Sequence, residues 1–281
     1  YYEVTYIDDP ADGTILAGTD PASNDYKQVK LAIKKISTNK ITTFLSNVAP
    51  QGLERLSNAG ALHLIAIDAN GQPVVGANFH IESLNLTPSI ILDRASDATG
   101  TWIEVGLPAS ANGYRITVTK TGYSTDATFP TTVANPNPTK TDATIVAGIV
   151  TQLSFAIDLT ANMTIKTVNE TCGNISGINM NLRGAKLIGT TPSVLKYDQN
   201  HTSSAGQIVL NGIEWDTYTP TLLTGQNYTV YGTSPIQEIS VLPGASQTFT
   251  IVLGPVSVNS LLVIVKDAAT GTAIEGATLS L

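Results

Sequence analysis

The residues best placed to do chemistry in this sequence are three carboxylates close to its start. Asp8, Asp9 and Asp12 fall within the turn-prone stretch DDPADG. Carboxylate oxygens that converge in a loop are ligands for Ca²⁺. The spacing is not that of the D-x-D-x-D-G calcium loop, and a solvated polar turn explains the same run. We keep Asp8, Asp9 and Asp12 as a candidate Ca²⁺ site and expect no other cofactor.

Two further carboxylates and one thiol invite a catalytic interpretation. Asp93 and Asp97 could pair for acid–base work, but Asp97 begins the string DATG, which is typical of a hairpin turn. Cys172 is the single cysteine, and its immediate neighbours supply neither a base nor an orienting group for a nucleophile. We expect Asp97 to shape a turn and Cys172 to be a free or interchain thiol.

The histidines and large aromatic residues complete the candidates. His63, His80 and His201 are well separated, unlike the ligands of a zinc site. The sequence shows no convergent set of titratable groups, so we expect a noncatalytic protein with no catalytic residues. Some aromatic side chains could stack on sugars, although large aromatic residues in sandwiches more often occupy core or hairpin-corner positions; they are Trp102, Trp215 and Tyr218.

Composition narrows the fold class and the partners. The chain has 281 residues, of which 13% are charged, and it contains 38 Thr, 23 Gly and 14 Pro. Abundant β-branched residues punctuated by Gly and Pro favour strands and turns, so we expect an all-β fold. A net charge of −7 lacks the basic surface that drives nucleic-acid binding, and we expect no such partner. The longest apolar runs are too short to cross a bilayer.

An internal repeat organises most of the chain. The segment LHLIAIDANGQPVVGANF at residues 62–79 and the segment LLVIVKDAATGTAIEGATL at residues 261–279 share one pattern. Each runs from an apolar strand through an Asp-containing turn to a Gly and a second strand. A degenerate third copy, MTIKTVNETCGNISGINMNL, lies at residues 163–182. The equivalent glycines Gly76, Gly177 and Gly276 are 101 and 99 residues apart, which indicates tandem modules.

Sequence features that follow the opening turn of the repeat also recur in both intervals. The string DATGTWI from Asp97 matches SSAGQIV from Ser203, and GLP from Gly106 matches GIE from Gly212. The string YRITVTKTGY from Tyr114 alternates as a half-solvated antiparallel strand should. Each interval therefore predicts about seven short strands, which is typical of a Greek-key β-sandwich.

The expected organisation has four parts. Residues 1–59 form a β-meander, residues 60–158 a first sandwich, and residues 159–254 a second sandwich. Residues 255–281 supply the first two strands of a third repeat, which is either truncated or completed by another subunit. Three strands bury too little apolar surface to be stable alone, so we expect a further element to cover the meander.

The repeats resemble the carboxypeptidase regulatory-like family of prealbumin-like β-sandwiches, over residues 60–281. The middle copy departs from that pattern in two ways. Gly177-Ile178 replaces Gly-Ala, and the stretch of residues 186–202 is longer than is usual in the family. The resemblance implies noncatalytic spacers, stalks or binding platforms. Related adhesin sandwiches carry a Lys–Asn isopeptide bond, but Lys266 directly precedes Asp267, which is the wrong spacing, and we expect none.

The first part of the chain resembles a different group. The strings YEV, DDPADGT, DYKQVK and NVAPQGLE, all within residues 2–54, are similar to bacterial proteins with a type IV prepilin N-terminal methylation segment. That resemblance implies a cleaved leader and an apolar helix before Tyr1. The helix would anchor the protein in a membrane or pack into a filament, and it would be the protein's contact with a membrane.

The two resemblances together imply an extracellular or cell-surface, pilus-associated protein with a structural or adhesive role. The implied partners are copies of the same chain, other pilin subunits, and glycans on a cell surface or on another cell. An alternative stays open, in which the chain is a glycan-binding or accessory module of a larger secreted enzyme. An undetected enzyme is a third possibility, and it predicts a pocket with convergent titratable groups.

Overall fold

The computed structural model describes residues 2–7, 26–34, 40–48, 58–236, 238–256 and 263–278. Every regular element within these ranges is a β-strand. No helix in the described residues is long and apolar enough to cross a membrane. The predicted all-β fold is confirmed.

The N-terminal strands form a three-stranded antiparallel meander in the order β1-β2-β3. Its strands are β1 (Tyr2–Ile7), β2 (Tyr26–Lys34) and β3 (Ile41–Val48). The register pairs Leu31 with Tyr2 on one side and with Phe44 on the other. Because side chains alternate along a strand, these three residues share one face of the sheet.

The first sandwich follows directly. Its strands are β4 (Ala59–Ile67), β5 (Asn78–Ser83), β6 (Ile91–Ala95), β7 (Thr101–Pro108), β8 (Ser110–Thr119), β9 (Asp126–Ala127), β10 (Ala143–Ile145) and β11 (Val150–Ala156). One sheet has the order β11-β4-β7, and the other has the order β10-β8-β5-β6 with β9 paired to β8. The last strand β11 runs parallel to the first strand β4, which places Leu153 opposite Leu64.

The second sandwich repeats this topology, but its two sheets have four strands each instead of three and five, and a two-stranded hairpin is inserted. The chain continues with β12 (Ala161–Val168), β13 (Asn179–Gly184), β14 (Leu187–Gly189), β15 (Val194–Leu195), β16 (Asp198–Thr202), β17 (Gln207–Ile213), β18 (Asp216–Leu222), β19 (Tyr228–Ser234), β20 (Ile239–Val241) and β21 (Ser246–Pro255). The sheets have the orders β17-β12-β21-β19 and β16-β13-β18-β20. Again the last strand runs parallel to the first, with Phe249 opposite Ile165.

Each sandwich has its own apolar core. In the first, Leu64, Phe79 and Phe155 are fully buried, and the two phenyl rings lie 6.3 Å apart. In the second, Ile165 and Phe249 are fully buried. Full burial of one such side chain contributes about 1.5–3 kcal/mol, so each core stabilises its own sandwich.

A short hairpin interrupts the second repeat. The chain separates into two compact units, Tyr1–Thr160 with Leu187–Lys196, and Ala161–Lys186 with Tyr197–Leu281. The hairpin β14–β15 thus belongs to the first unit, where the Thr139 N–H donates to the Ile188 carbonyl at 3.0 Å. The Asn135 amide donates to the same carbonyl at 3.1 Å. The longer stretch that departs from the repeat pattern is therefore an insertion with its own partners.

Candidate functional site

The candidate Ca²⁺ ligands Asp8, Asp9 and Asp12 lie outside the described residues, so the metal site stays a prediction. Among the residues that the structure does describe, no group of three or more His, Cys, Asp or Glu side chains could hold a metal ion.

The carboxylates Asp93 and Asp97 have separate partners. Asp97 Oδ1 accepts hydrogen bonds from the N–H groups of Thr99 at 2.8 Å and Thr101 at 3.0 Å, and from both hydroxyls. Partial burial opposes ionisation of Asp97, but these hydrogen bonds outweigh it, and the pKa of Asp97 lies below its usual value. This is the bonding of a turn residue, as the sequence predicts.

Asp93 lies on the exposed face of β6. Its Oδ1 is 2.9 Å from His80 Nδ1 and accepts a hydrogen bond from the Asn78 amide at 3.3 Å. The hydrogen bond from His80 is the main reason that the pKa of Asp93 lies below its usual value. The pair stabilises a solvated carboxylate, which is a property of a surface contact between neighbouring strands rather than of a general acid.

Cys172 occupies a turn, as the sequence predicts. It is exposed and free, its φ is 62°, and its N–H donates to the Asn169 carbonyl at 3.0 Å. The histidines have partners other than Cys172, since His63 contacts Gln152 and His201 contacts the Tyr197 hydroxyl. The structure therefore brings no nucleophile and base together from these candidates.

The aromatic candidates divide into one core residue and two half-buried ones. Tyr218 is fully buried, so the interpretation of this side chain as a sugar platform is wrong and the hairpin-corner interpretation holds. The Trp102 indole N–H donates to Glu104, and the Arg94 guanidinium lies 5.7 Å from the ring centroid. Lys186 Nζ lies 3.0 Å from the centroid of Trp215.

Several partly buried ion pairs were not singled out from the sequence, and those of Arg115 and Lys140 are two of them. Asp142 is buried and accepts two hydrogen bonds from the Arg115 guanidinium and one from the Thr128 hydroxyl. The hydrogen bonds to Asp142 raise the pKa of Arg115. Lys140 Nζ donates to Asp126 at 2.6 Å. These ion pairs join the segment before β10 to β8 and β9, and only the tertiary structure reveals them.

A group of exposed apolar side chains lies on the meander. Six apolar side chains on one face are between 43% and 77% exposed; they are Tyr2, Val4, Leu31, Ile33, Phe44 and Val48. The strand register places them together with Val29, and it puts the polar residues Lys27, Thr42 and Ser46 on the same face. We call this set the apolar meander face.

The opposite face of the same sheet has a different character. It carries an ion pair between Lys30 and Glu3 at 3.3 Å and a hydrogen bond from Gln28 to Asn47 at 3.1 Å. Ile41 and Leu45 are the large apolar residues exposed on that side. The meander is thus amphipathic, and its apolar side has the chemistry of a surface that another element covers.

The apolar meander face has a definite size. Three strands at about 4.8 Å spacing and eight residues at about 3.3 Å rise span roughly 14 Å by 27 Å. An α-helix with its side chains is about 10–12 Å wide, and about 18 residues of helix are 27 Å long. One apolar helix therefore matches the dimensions of the face.

The described residues thus define a class of protein, an all-β chain with an amphipathic meander and tandem β-sandwiches. No protein-family model matches the chain, and no curated protein matches it.

Among solved structures, the Bacillus anthracis TIE protein is 13% identical, with a TM-score of 0.28 over 82% of this chain and 42% of that protein. The shaft pilin SpaA from Lactobacillus rhamnosus GG is 12% identical, with a TM-score of 0.28 over 72% of this chain and 100% of that one. GBS52, the minor pilin of Streptococcus agalactiae, is 12% identical, with a TM-score of 0.30 over 72% and 98%. TM-scores this low establish no shared family, and we infer neither function nor location from them.

Proposed function

We propose that this chain is a noncatalytic, extracellular subunit or stalk of a pilus-like surface filament. The observation that supports this proposal best is the apolar meander face, because Phe44 is 56% exposed while the sheet's other face carries the Lys30–Glu3 ion pair. Full burial of a large apolar side chain contributes about 1.5–3 kcal/mol, and most of these side chains, being about half exposed, leave roughly half of that free energy unrealised. An assembly that covers them recovers this free energy.

The proposed cover is an apolar helix that precedes Tyr1 in the full polypeptide. The resemblance of residues 2–54 to type IV prepilin-like proteins implies such a helix, and the face has the width and length to receive it. In this proposal the helix packs on the meander at one side and anchors the subunit in a membrane or a filament core at the other.

The sandwiches then extend the subunit and present surface. Attachment to other cells or to their glycans would come from many copies along a filament, because multiple weak contacts raise the effective concentration without a tight single site. A stalk of this kind needs rigid modules rather than a catalytic pocket. The separate structural partners of the candidate carboxylates support that role.

Two variants at neighbouring positions test the proposal. Phe44 and Thr43 are both exposed on β3 but lie on opposite faces of the sheet. In the full-length protein, we expect Phe44→Glu to abolish fibres in electron micrographs of purified material, because it places a charge where apolar packing is needed. Thr43→Glu adds the same charge to the polar face and should leave fibres intact.

Two outcomes would overturn the proposal. Separate, monodisperse particles from the unmodified full-length protein would exclude polymerisation and favour an accessory module. Equal behaviour of the two variants would exclude the apolar meander face as the assembly surface. Circular dichroism of both variants controls for folding, since neither side chain is buried.

A further inference from the structure

Strand β17 lies at one end of a sheet in the second sandwich. It pairs antiparallel with β12 and, among the described strands, with no other. Its sequence QIVLNGI contains neither a charged residue nor a proline. An edge strand presents a row of backbone N–H and C=O groups to any strand that approaches it, and charges or prolines are the usual obstacles.

The register with β12 determines which backbone groups of β17 point outward. The Gly206 carbonyl accepts a hydrogen bond from β12 at 2.9 Å. Hydrogen-bonded and non-hydrogen-bonded pairs alternate along an antiparallel ladder, so Ile208 and Leu210 direct their N–H and C=O groups toward β12. The same groups of Val209 and Asn211 therefore point to the outside of the sheet.

The exposure of these residues shows that the outer side of the strand is accessible. Val209 is 53% exposed, and Asn211 is also exposed. No turn or loop in the described part of the chain donates to or accepts from their backbone groups. Gln207 differs, because its N–H and its carbonyl both bond to Ser204, at 3.0 and 2.9 Å. Residues 209–211 thus offer two donors and two acceptors, and we call them the open edge.

The equivalent strand of the first sandwich, β7, has no such edge. The matching strings align Ile103 with Val209 and Val105 with Asn211. Ile103 is half-buried and Val105 is 7% exposed, and both belong to one small apolar cluster. The open edge is therefore a property of the second sandwich and not of the topology that the two sandwiches share.

Other edge strands of the sandwiches have features that hinder pairing. On β11, Lys140 Nζ donates to the Ser154 carbonyl at 2.6 Å, and the Ala156 N–H donates to Asp126 at 3.0 Å. Strands β6 and β16 contain charged residues, and the register of β19 is irregular. Caps, charges and bulges of these kinds protect sheet edges. The open edge has none of them.

We propose that the open edge is an interaction surface for a second copy of this chain, which pairs antiparallel through its own β17 about a two-fold axis beside Leu210. Val209 of one copy then lies opposite Asn211 of the partner subunit. Each such pair exchanges two backbone hydrogen bonds, and the symmetry doubles this to four.

The chemistry of the strand favours a second copy as the occupant. Because β17 is uncharged, antiparallel self-pairing places no like charges opposite each other, and it brings Val209 against a neighbouring strand. The overlap of one short strand is far smaller than the roughly 1,200 Å² that stable interfaces bury, so the dimer is weak and reversible. This surface lies on the second sandwich, and the proposal is independent of the filament role assigned to the apolar meander face.

Disulfide trapping tests the register of the pairing. Every chain carries Cys172→Ser, which removes the natural thiol. A mixture of Val209→Cys chains and Asn211→Cys chains, treated with oxidised glutathione, should form a linked dimer, because the Cα atoms of a hydrogen-bonded pair are about 5.5 Å apart. Either variant alone should form at least about 10-fold less dimer, since its two thiols lie on a diagonal of about 7–8 Å.

Sedimentation equilibrium tests the association without a crosslink. The mass of the unmodified chain should rise with concentration from that of one chain toward that of two. Val209→Pro removes an N–H that β12 does not use, so the sandwich should fold while dimerisation weakens at least about 10-fold. Val209→Thr keeps the N–H and should dimerise as the unmodified chain does. Circular dichroism checks the fold of both variants.

Each of three results would contradict this pairing. The first is a mass that stays at one chain at every concentration at which the protein is soluble. The second is equal trapping in the mixture and in either cysteine variant alone. The third is a dimer that persists in Val209→Pro. Phe44→Glu should leave this dimer unchanged, so a failure of the filament proposal and a failure of this one are distinguishable.

Discussion

Two tyrosines at equivalent positions make the same hydrogen bond in the two sandwiches. The Tyr114 hydroxyl donates to the Pro108 carbonyl at 2.8 Å, and the Tyr218 hydroxyl donates to the Glu214 carbonyl at 2.8 Å. Both rings are fully buried. Pro108 and Glu214 occupy equivalent positions in the strings GLP and GIE, so the acceptors are equivalent as well. The arrangement is a tyrosine corner, which fixes the path between two strands.

Three tyrosines, Tyr114, Tyr197 and Tyr218, should make the folded protein less stable at high pH. Burial raises the pKa of Tyr114, Tyr197 and Tyr218 above the ordinary value of 10.0. Because the folded-state pKa is raised, the stabilisation is fully present below pH 10 and is lost as pH rises through the folded-state values. We expect these three phenols to remain neutral while exposed tyrosines ionise, as measured by phenolate absorbance.

A variant checks this assignment. Tyr218→Phe should remove one late-titrating phenol from the absorbance curve. Titration of all tyrosines together near pH 10 in the folded protein would contradict the prediction.

A buried serine in the first sandwich gives a second prediction at the residue scale. Ser96 is buried, and its Oγ accepts a hydrogen bond from the Ala77 N–H at 2.8 Å and donates one to the Val74 carbonyl at 2.6 Å. Ser96→Ala removes both hydrogen bonds, and we expect a loss of about 1–3 kcal/mol in the free energy of unfolding. The measurement is chemical denaturation followed by circular dichroism. Ser89→Ala removes a hydroxyl at an exposed position and should change the free energy by less than about 0.5 kcal/mol.

At the scale of elements, glycines with positive φ determine where strands turn. Gly76 has a φ of 70° with open space where a Cβ would be, and Gly100 has a φ of 76° with a Cβ position 2.7 Å from the Ala66 carbonyl oxygen. The two glycines share a backbone conformation, but only Gly100 lacks space for a Cβ. Comparing alanine substitutions at the two positions therefore separates the conformational cost from the steric cost.

We therefore expect Gly76→Ala to destabilise the first sandwich by about 1–2 kcal/mol, the cost of an L residue in the left-handed region. Gly100→Ala should cost roughly 1–3 kcal/mol more, because its Cβ meets backbone that cannot move freely. Urea denaturation of both variants gives the comparison. Equal losses would show that the Ala66 contact relaxes without cost.

The hairpin β14–β15 shows how an element can belong to a unit that its sequence position does not indicate. Gly189 lies against Asn135, and a Cβ at position 189 would overlap the Asn135 side-chain oxygen. Asn135 is buried, and its amide donates to the Ile188 carbonyl. The insertion is thus fitted to the loop that it contacts.

For the whole molecule, charge sets the class of partner. A net charge of −7 repels phosphate backbones, and nucleic-acid affinity depends on releasing counterions through basic contacts. We expect no mobility shift of duplex DNA or RNA by the protein even at low ionic strength. A salt-sensitive shift would contradict this prediction and reveal a basic surface that the net charge conceals.

Much of the architecture follows from the sequence because its signals are local. Side-chain alternation and Gly-containing turns indicate strands, and a spacing near 100 residues between Gly76, Gly177 and Gly276 indicates repeated modules. The turn role of Asp97 could be predicted for the same reason, since its partners Thr99 and Thr101 are adjacent in the chain.

Only the tertiary structure decided which distant strands meet. The parallel pairing of the last strand with the first, the ion pair of Arg115 with Asp142, and the burial of Tyr218 each depend on residues that are far apart in sequence or on the packing of two sheets. The apolar meander face belongs to the same group. Alternation places apolar residues on one side of a strand, but the three-strand register determines that they join into one surface of a definite size.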